Sequence, residues 1–186
     1  MKITIVSSSP RQASVTIRVA KFLEKYLKEK YPAHEYTLLS MNNHPLTFVE
    51  NVWSTVNDAP AEHKEMAKLV FETDAFVVVS PEYNGGYSVA MKNLFDHFPK
   101  QTKKVFGIVT ASDGALGGMR AAHNIQNMIC GLFGIPCPNM LIVPAMTKKF
   151  DAEGNLIDES FGNAIHTFAN EFVWLSEAVY AKKNPA

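Results

Sequence analysis

Residues 2–7, KITIVS, form a short run rich in β-branched side chains, the pattern of a buried strand. Ser8, Ser9 and Pro10 end it at once. From 14 to 30 the period changes. Val15, Val19, Phe22, Leu23, Tyr26 and Leu27 recur at helical spacing on one face. Residues 35–39 read as a second strand. Residues 40–60 lack a clear period and predict a long loop with a turn of helix near 49–56. A helix follows over 61–72, with Met66, Leu69 and Val70 inward. Residues 75–80, AFVVVS, are apolar on both faces, as a central parallel strand must be. The remaining pattern predicts a helix over 88–98, a strand over 105–111, a helix over 117–133, a strand over 139–143 and a long helix over 159–182.

Strands that alternate with helices imply a doubly wound α/β fold, a parallel sheet with helices on both faces. Five strands suit the flavodoxin-like order better than a six-stranded dinucleotide fold. No repeat, low-complexity segment or linker is visible, so residues 1–186 read as a single domain. Ligands of such sheets bind beyond the carboxyl ends of the strands. That rule selects the loops after Ser7, Ser80 and Ala111.

Composition narrows the function. Lys+Arg and Asp+Glu both total 18. The balance argues against a nucleic-acid partner, which demands a basic face. Cys130 and Cys137 match no metal or redox spacing and read as small buried hydrophobes in a reducing compartment. The first apolar run is too short for a signal peptide, and no stretch is long enough to span a bilayer. The expectation is a cytoplasmic protein without a membrane partner. The six histidines are scattered, so no metal site is expected. No GxSxG elbow appears, which leaves hydrolysis unsupported.

The first loop, Ser7-Ser8-Ser9-Pro10-Arg11 followed by Ser14 and Thr16, looks built for a phosphate. A helix start attracts anions through its free N–H groups, and hydroxyls and an arginine fork would add to it. Capping alone would need one hydroxyl, and several cluster here. The loop is neither GxxxxGK[ST] nor GxGxxG. The second loop, Ser80-Pro81-Glu82-Tyr83-Asn84-Gly85-Gly86, offers an aromatic plane, an amide, and glycines that let backbone approach a heterocycle. A plain turn is the alternative. The third loop holds Ser112, Asp113, Gly114, Gly117 and Gly118, with Arg120 at the next helix. It reads equally as a ring contact or as a flexible helix start.

SPEYNGG, followed by Lys92-Asn93 and Asp96, resembles the NADPH-dependent FMN reductase family of flavodoxin-like proteins, which includes quinone, azo-dye and chromate reductases. Ser9-Pro10-Arg11 with Ser14 and Thr16 resembles that family's phosphate loop, G-S-x-R-x-x-S-x-N. The likeness runs from residue 2 to about 133. Ser8 stands where the family usually has Gly, Thr16 where Asn is common, and YSVAMKN lacks a proline many members carry.

The resemblance implies a cofactor-binding set. Ser8, Ser9, Arg11, Ser14, Val15 and Thr16 would form the phosphate loop of a bound FMN. Pro81, Glu82, Tyr83, Asn84 and Gly85 would line its ring and ribityl chain. Ser112 and Gly117 would approach the ring from the third loop. It implies an NAD(P)H-dependent flavin oxidoreductase, with NADPH or NADH as donor and a small acceptor such as a flavin, quinone, azo compound or metal oxyanion. The flavin carries that chemistry, so no catalytic side chain is named. A homodimer or homotetramer is expected. Lys92, Asn93 and Asp96 would face a partner chain or solvent. The alternatives are a flavodoxin-like electron carrier, disfavoured by the neutral charge and Arg11, and a non-catalytic flavin-binding protein.

Overall fold

β1 (Lys2–Ser7), β3 (Ala75–Ser80) and β4 (Val105–Ala111) run parallel at the centre of the sheet, and β2 (Glu35–Ser40) pairs with the free side of β1. The computed structural model describes residues 1–185. Every side chain of β3 and β4 is buried. Both strands are therefore covered on two faces, which explains their continuous apolar runs.

One face is covered by α1 (Thr16–Lys30) and α5 (Gly162–Lys183). Val19, Leu23 and Leu27 pack there with Phe168 and Phe172. The other face is covered by α2 (Lys64–Glu72), α3 (Val89–Asp96) and α4 (Met119–Gly131). Met66, Val70, Leu94 and Ile125 fill that layer. The chain goes from β1 outward to β2 and then crosses to β3 on the other side, so the order runs β2-β1-β3-β4. This is the expected flavodoxin-like arrangement. The change of direction opens a crevice above β1 and β3.

The fifth position differs from the expectation of one strand. It is filled in two pieces. β5 (Ile135–Pro136) pairs with Val105 and Phe106, and β6 (Leu141–Val143) pairs with Val109, Thr110 and Ala111. Two residues show no periodicity, so β5 leaves no pattern in the sequence. Gly134 precedes it because a Cβ there would come within 2.7 Å of the Phe106 ring.

Smaller differences sit at element ends. The loop after β2 has a helical turn at Val56–Asp58 rather than over 49–56. Ala61–His63 and Glu159–Phe161 form tight turns that lead into α2 and α5. An α-helix starts more slowly than its hydrophobic pattern suggests because its first turn has few internal hydrogen bonds.

Candidate functional site

The three selected loops meet. Ser8 N donates to Val79 O at 2.9 Å, which lays the first loop beside the end of β3. A cavity of about 170 Å³ lies between the loops, and its lining holds Ser9, Arg11, Ser14, Val15 and Thr16 from the first. The second loop adds Pro81, Glu82 and Tyr83, and the third adds Ser112 and Asp113. Four expected residues lie outside that lining: Ser8, Asn84, Gly85 and Gly117.

The start of α1 has no cap of its own. Val15 occupies the N-cap position, no side chain bonds to the free N–H groups, and the first turn holds no acid. An uncapped helix start beside a cavity leaves a positive dipole end available to an anion. The Ser14 hydroxyl is buried and has no hydrogen-bond partner among the described residues; the same holds for Ser8. A buried unpartnered hydroxyl costs free energy, so Ser14, which lines the cavity, is suited to an added acceptor.

Two contacts join the first loop to the second. The Ser9 hydroxyl lies 3.2 Å from the Tyr83 hydroxyl. The Arg11 guanidinium lies 4.3 Å from the Tyr83 ring centre. A third tie comes from Ser88, which the sequence reading did not select. Its hydroxyl donates to Ser8 O at 2.5 Å and accepts from Met91 N at 3.2 Å, capping α3. A serine ahead of a helix is itself the signal for that role.

Asn84 and Gly85 form the tip of a miniature hairpin. Tyr83 N donates to Gly86 O at 2.8 Å and Gly86 N to Tyr83 O at 3.0 Å. Asn84 has φ +52° and Gly85 φ +81°. Asn-Gly is the sequence preferred for such a turn. The Glu82 carboxylate turns away to the start of α4, where it accepts from Arg120 N at 3.1 Å and Ala121 N at 3.3 Å. Arg120 itself is largely exposed, 3.9 Å from the other carboxylate oxygen.

The third loop is held from behind. Ser112 N donates to Val143 O at 3.1 Å, and Met146 N donates to Ser112 O at 3.2 Å. Asp113 accepts from Thr147 N at 2.9 Å and from its hydroxyl at 2.7 Å. These donors hold the Asp113 carboxyl below the usual range. Gly117 is fixed by crowding: a Cβ there would lie 2.7 Å from Pro144 N.

On α3, Lys92 pairs with Asp96 one turn away on the exposed surface. Asn93 donates to Leu46 O at 3.3 Å and Thr47 O at 2.7 Å, tying the loop after β2 to the helix. A larger cavity, about 540 Å³, lies between α1 and the start of α5, away from the strand ends, and carries Lys25, Glu29 and Lys30. Strand topology and the convergence of polar groups favour the smaller one.

Among solved structures, the fold is similar to the flavoenzyme FerB, an NAD(P)H:(acceptor) oxidoreductase from Paracoccus denitrificans. That match has a TM-score of 0.79 at 21% identity, over 95% of this chain and 97% of the other. It is also similar to a flavodoxin mutant from Pseudomonas aeruginosa, with a TM-score of 0.57 at 18% identity, over 93% and 99%. In sequence, it is 27% identical to a probable NADPH:quinone oxidoreductase 2 from Oryza sativa subsp. japonica, covering 85% of this chain and 80% of that one. It is 24% identical to an NADPH azoreductase from Bacillus sp. (strain OY1-2), covering 78% of each. Residues 1–148 match the NADPH-dependent FMN reductase family. The chain belongs to the NADPH-dependent FMN reductase family.

Proposed function

We propose that the three-loop cavity holds the phosphate end of FMN and that the chain uses NADPH to reduce a small acceptor of the quinone or azo class. Family membership carries the cofactor and the donor. The names of the relatives, quinone oxidoreductase and azoreductase, suggest the acceptor class. The observation that carries the placement is the uncapped start of α1 with the buried, unpartnered Ser14 hydroxyl beside it.

The residues present fit that group. The cavity is smaller than the roughly 300–1,000 Å³ of a whole small-molecule site, which suits one end of a ligand. In this reading, Thr16 and the free N–H groups of α1 bind the phosphate, and Arg11 supplies its countercharge. Tyr83 orients Arg11, and Ser112 offers polar groups at the far wall. Held there, FMN would supply the redox chemistry that links NADPH to the acceptor. No histidine lines the cavity, and both carboxylates there are already bound, Glu82 to α4 and Asp113 to Thr147. That supports a binding site without a side-chain proton donor.

The same reading includes a homodimer or homotetramer, supported by exposed Leu116 and Met119 beside the third loop. It also includes a cytoplasmic setting, supported by two free thiols, of which Cys137 is buried as expected while Cys130 is exposed. Among the described residues no helix is long and apolar enough to cross a membrane.

The test is the visible spectrum of the purified protein loaded with FMN, cleared of excess and treated with NADPH without oxygen. A retained flavin band that bleaches supports the reading. A retained band that NADPH leaves unchanged points to an electron carrier. No retained band overturns tight FMN binding.

A further inference from the structure

The first loop has two sides. Ser9 and Arg11 face the cavity described above, whereas Pro10 and Gln12 line a second cavity of about 310 Å³. Its other walls come from the loop after β2 and from the start of α3. Asn93 fixes these two walls to each other through Leu46 O and Thr47 O. Its volume falls within the range of sites that hold whole small molecules.

None of its lining side chains carries a formal charge. This sets it apart from the phosphate cavity, with Arg11, Glu82 and Asp113, and from the groove beside α5, with Lys25, Glu29 and Lys30. Its one titratable group, His44, is held below its ordinary pKa by burial and by nearby His63, and so stays neutral at neutral pH. A charged ligand would lose its hydration here without gaining a countercharge.

The apolar surfaces suit a flat ring. Met41 is buried at the base and offers a polarisable thioether, which favours aromatic contact. Val89 and Ala90 form one wall. Phe48 stands at the rim, 82% exposed, with an open ring face. The polar groups of Asn42 and Asn93 are partly used within the protein, Asn42 accepting from Ser40 and Asn93 donating to the loop. Gln12 and His44 remain to bond an oxygen on the ligand.

We propose that this cavity is a second small-molecule site, for an uncharged aromatic compound carrying a hydroxyl or carbonyl oxygen, set back to back with the phosphate loop. Phe48 and Met41 take the ring, and Gln12 and His44 take the oxygen. The site shares no lining residue with the phosphate cavity.

The test uses 2-naphthol, which is fluorescent, neutral at pH 7 and not a flavin substrate. Its binding is titrated against the protein with saturating FMN, beside 2-naphthoate, the same ring bearing a charge. Expected are saturable naphthol binding with FMN still bound, naphthoate binding at least about tenfold weaker, and a loss of about tenfold in Phe48→Ser, which removes one aromatic contact at an exposed position. Ala90→Trp, which fills the cavity, should abolish naphthol binding and keep FMN. Naphthol displaced by FMN, naphthoate binding equally well, or naphthol binding untouched by both substitutions would each overturn the proposal. If Ala90→Trp instead changes only the sedimentation behaviour, the surface is a contact between copies of the chain and the proposal fails. Loss of FMN retention in the unmodified protein would count against the FMN placement alone, since naphthol binding can be read without it.

Discussion

The Arg11 guanidinium lies 4.3 Å from the centre of the Tyr83 ring. The charge that lines the three-loop cavity is thus aimed by the neighbouring loop. Cation–π contact is worth about 0.5–2 kcal/mol. Tyr83→Leu should therefore lower FMN affinity about 2- to 30-fold while leaving Arg11 in place. Fluorescence titration of free FMN reads the change, and an unchanged affinity would show that Arg11 needs no such support.

Removing the polar groups themselves should cost more. Hydrogen bonds to a charged group contribute about 1.5–3 kcal/mol each. Arg11→Ala with Ser14→Ala should weaken FMN binding at least about 100-fold. The same titration checks it, and an unaltered affinity would place the phosphate elsewhere.

Glu82 belongs to the SPEYNGG segment, but its carboxylate serves the start of α4. Glu82→Gln keeps the shape and removes the charge from the positive end of that helix, worth about 0.3–1 kcal/mol. The midpoint of thermal unfolding should fall by about 1–4 °C. A fall in FMN affinity with no fall in stability would mean that the carboxylate acts on the ligand instead.

Gly118 begins α4 with φ +92°, and a Cβ there would lie 2.8 Å from the Thr110 Cβ. Neither atom can give way, because Thr110 is paired on both sides within β4 and Gly118 is held in the turn into α4. Gly118→Ala should destabilise the protein by more than about 1 kcal/mol. Urea unfolding measures this directly.

Lys104 is largely buried and its ammonium donates to Val70 O at 3.1 Å, near the end of α2. Burial nonetheless lowers its pKa from 10.5 to about 8. Between those values the unfolded chain holds a proton that the folded chain has lost, so stability gains an increasing contribution as pH rises from about 8 to 10.5. The slope is at most about 1.4 kcal/mol per pH unit. The unmodified protein should gain stability relative to Lys104→Met over that window, in paired urea titrations. Parallel curves would show that Lys104 titrates normally.

What could be read from the sequence follows from where the physics is local. β3 and β4 are legible because strands buried on both faces carry unbroken apolar runs. The polar cluster of the first loop is legible because its hydroxyls and Arg11 lie within a few residues of one another. β5 is not, because Ile135–Pro136 holds its place by pairing with β4, some thirty residues away in the chain. The partner of Glu82 lies 38 residues on, so nothing near Glu82 announces it. Asn84-Gly85 does carry a local sign, the preferred pair for a tight hairpin, and they form that turn.

The division of the fifth position into β5 and β6 also bears on association. A long exposed edge strand is a template on which another chain can add a strand. Here the edge beyond β4 offers two residues, one of them Pro136 without an N–H, then breaks away at Cys137 and returns for only three. No continuous ladder is left on that side to recruit a neighbour, so a sheet with a strongly apolar centre is shielded there from growing into an intermolecular one.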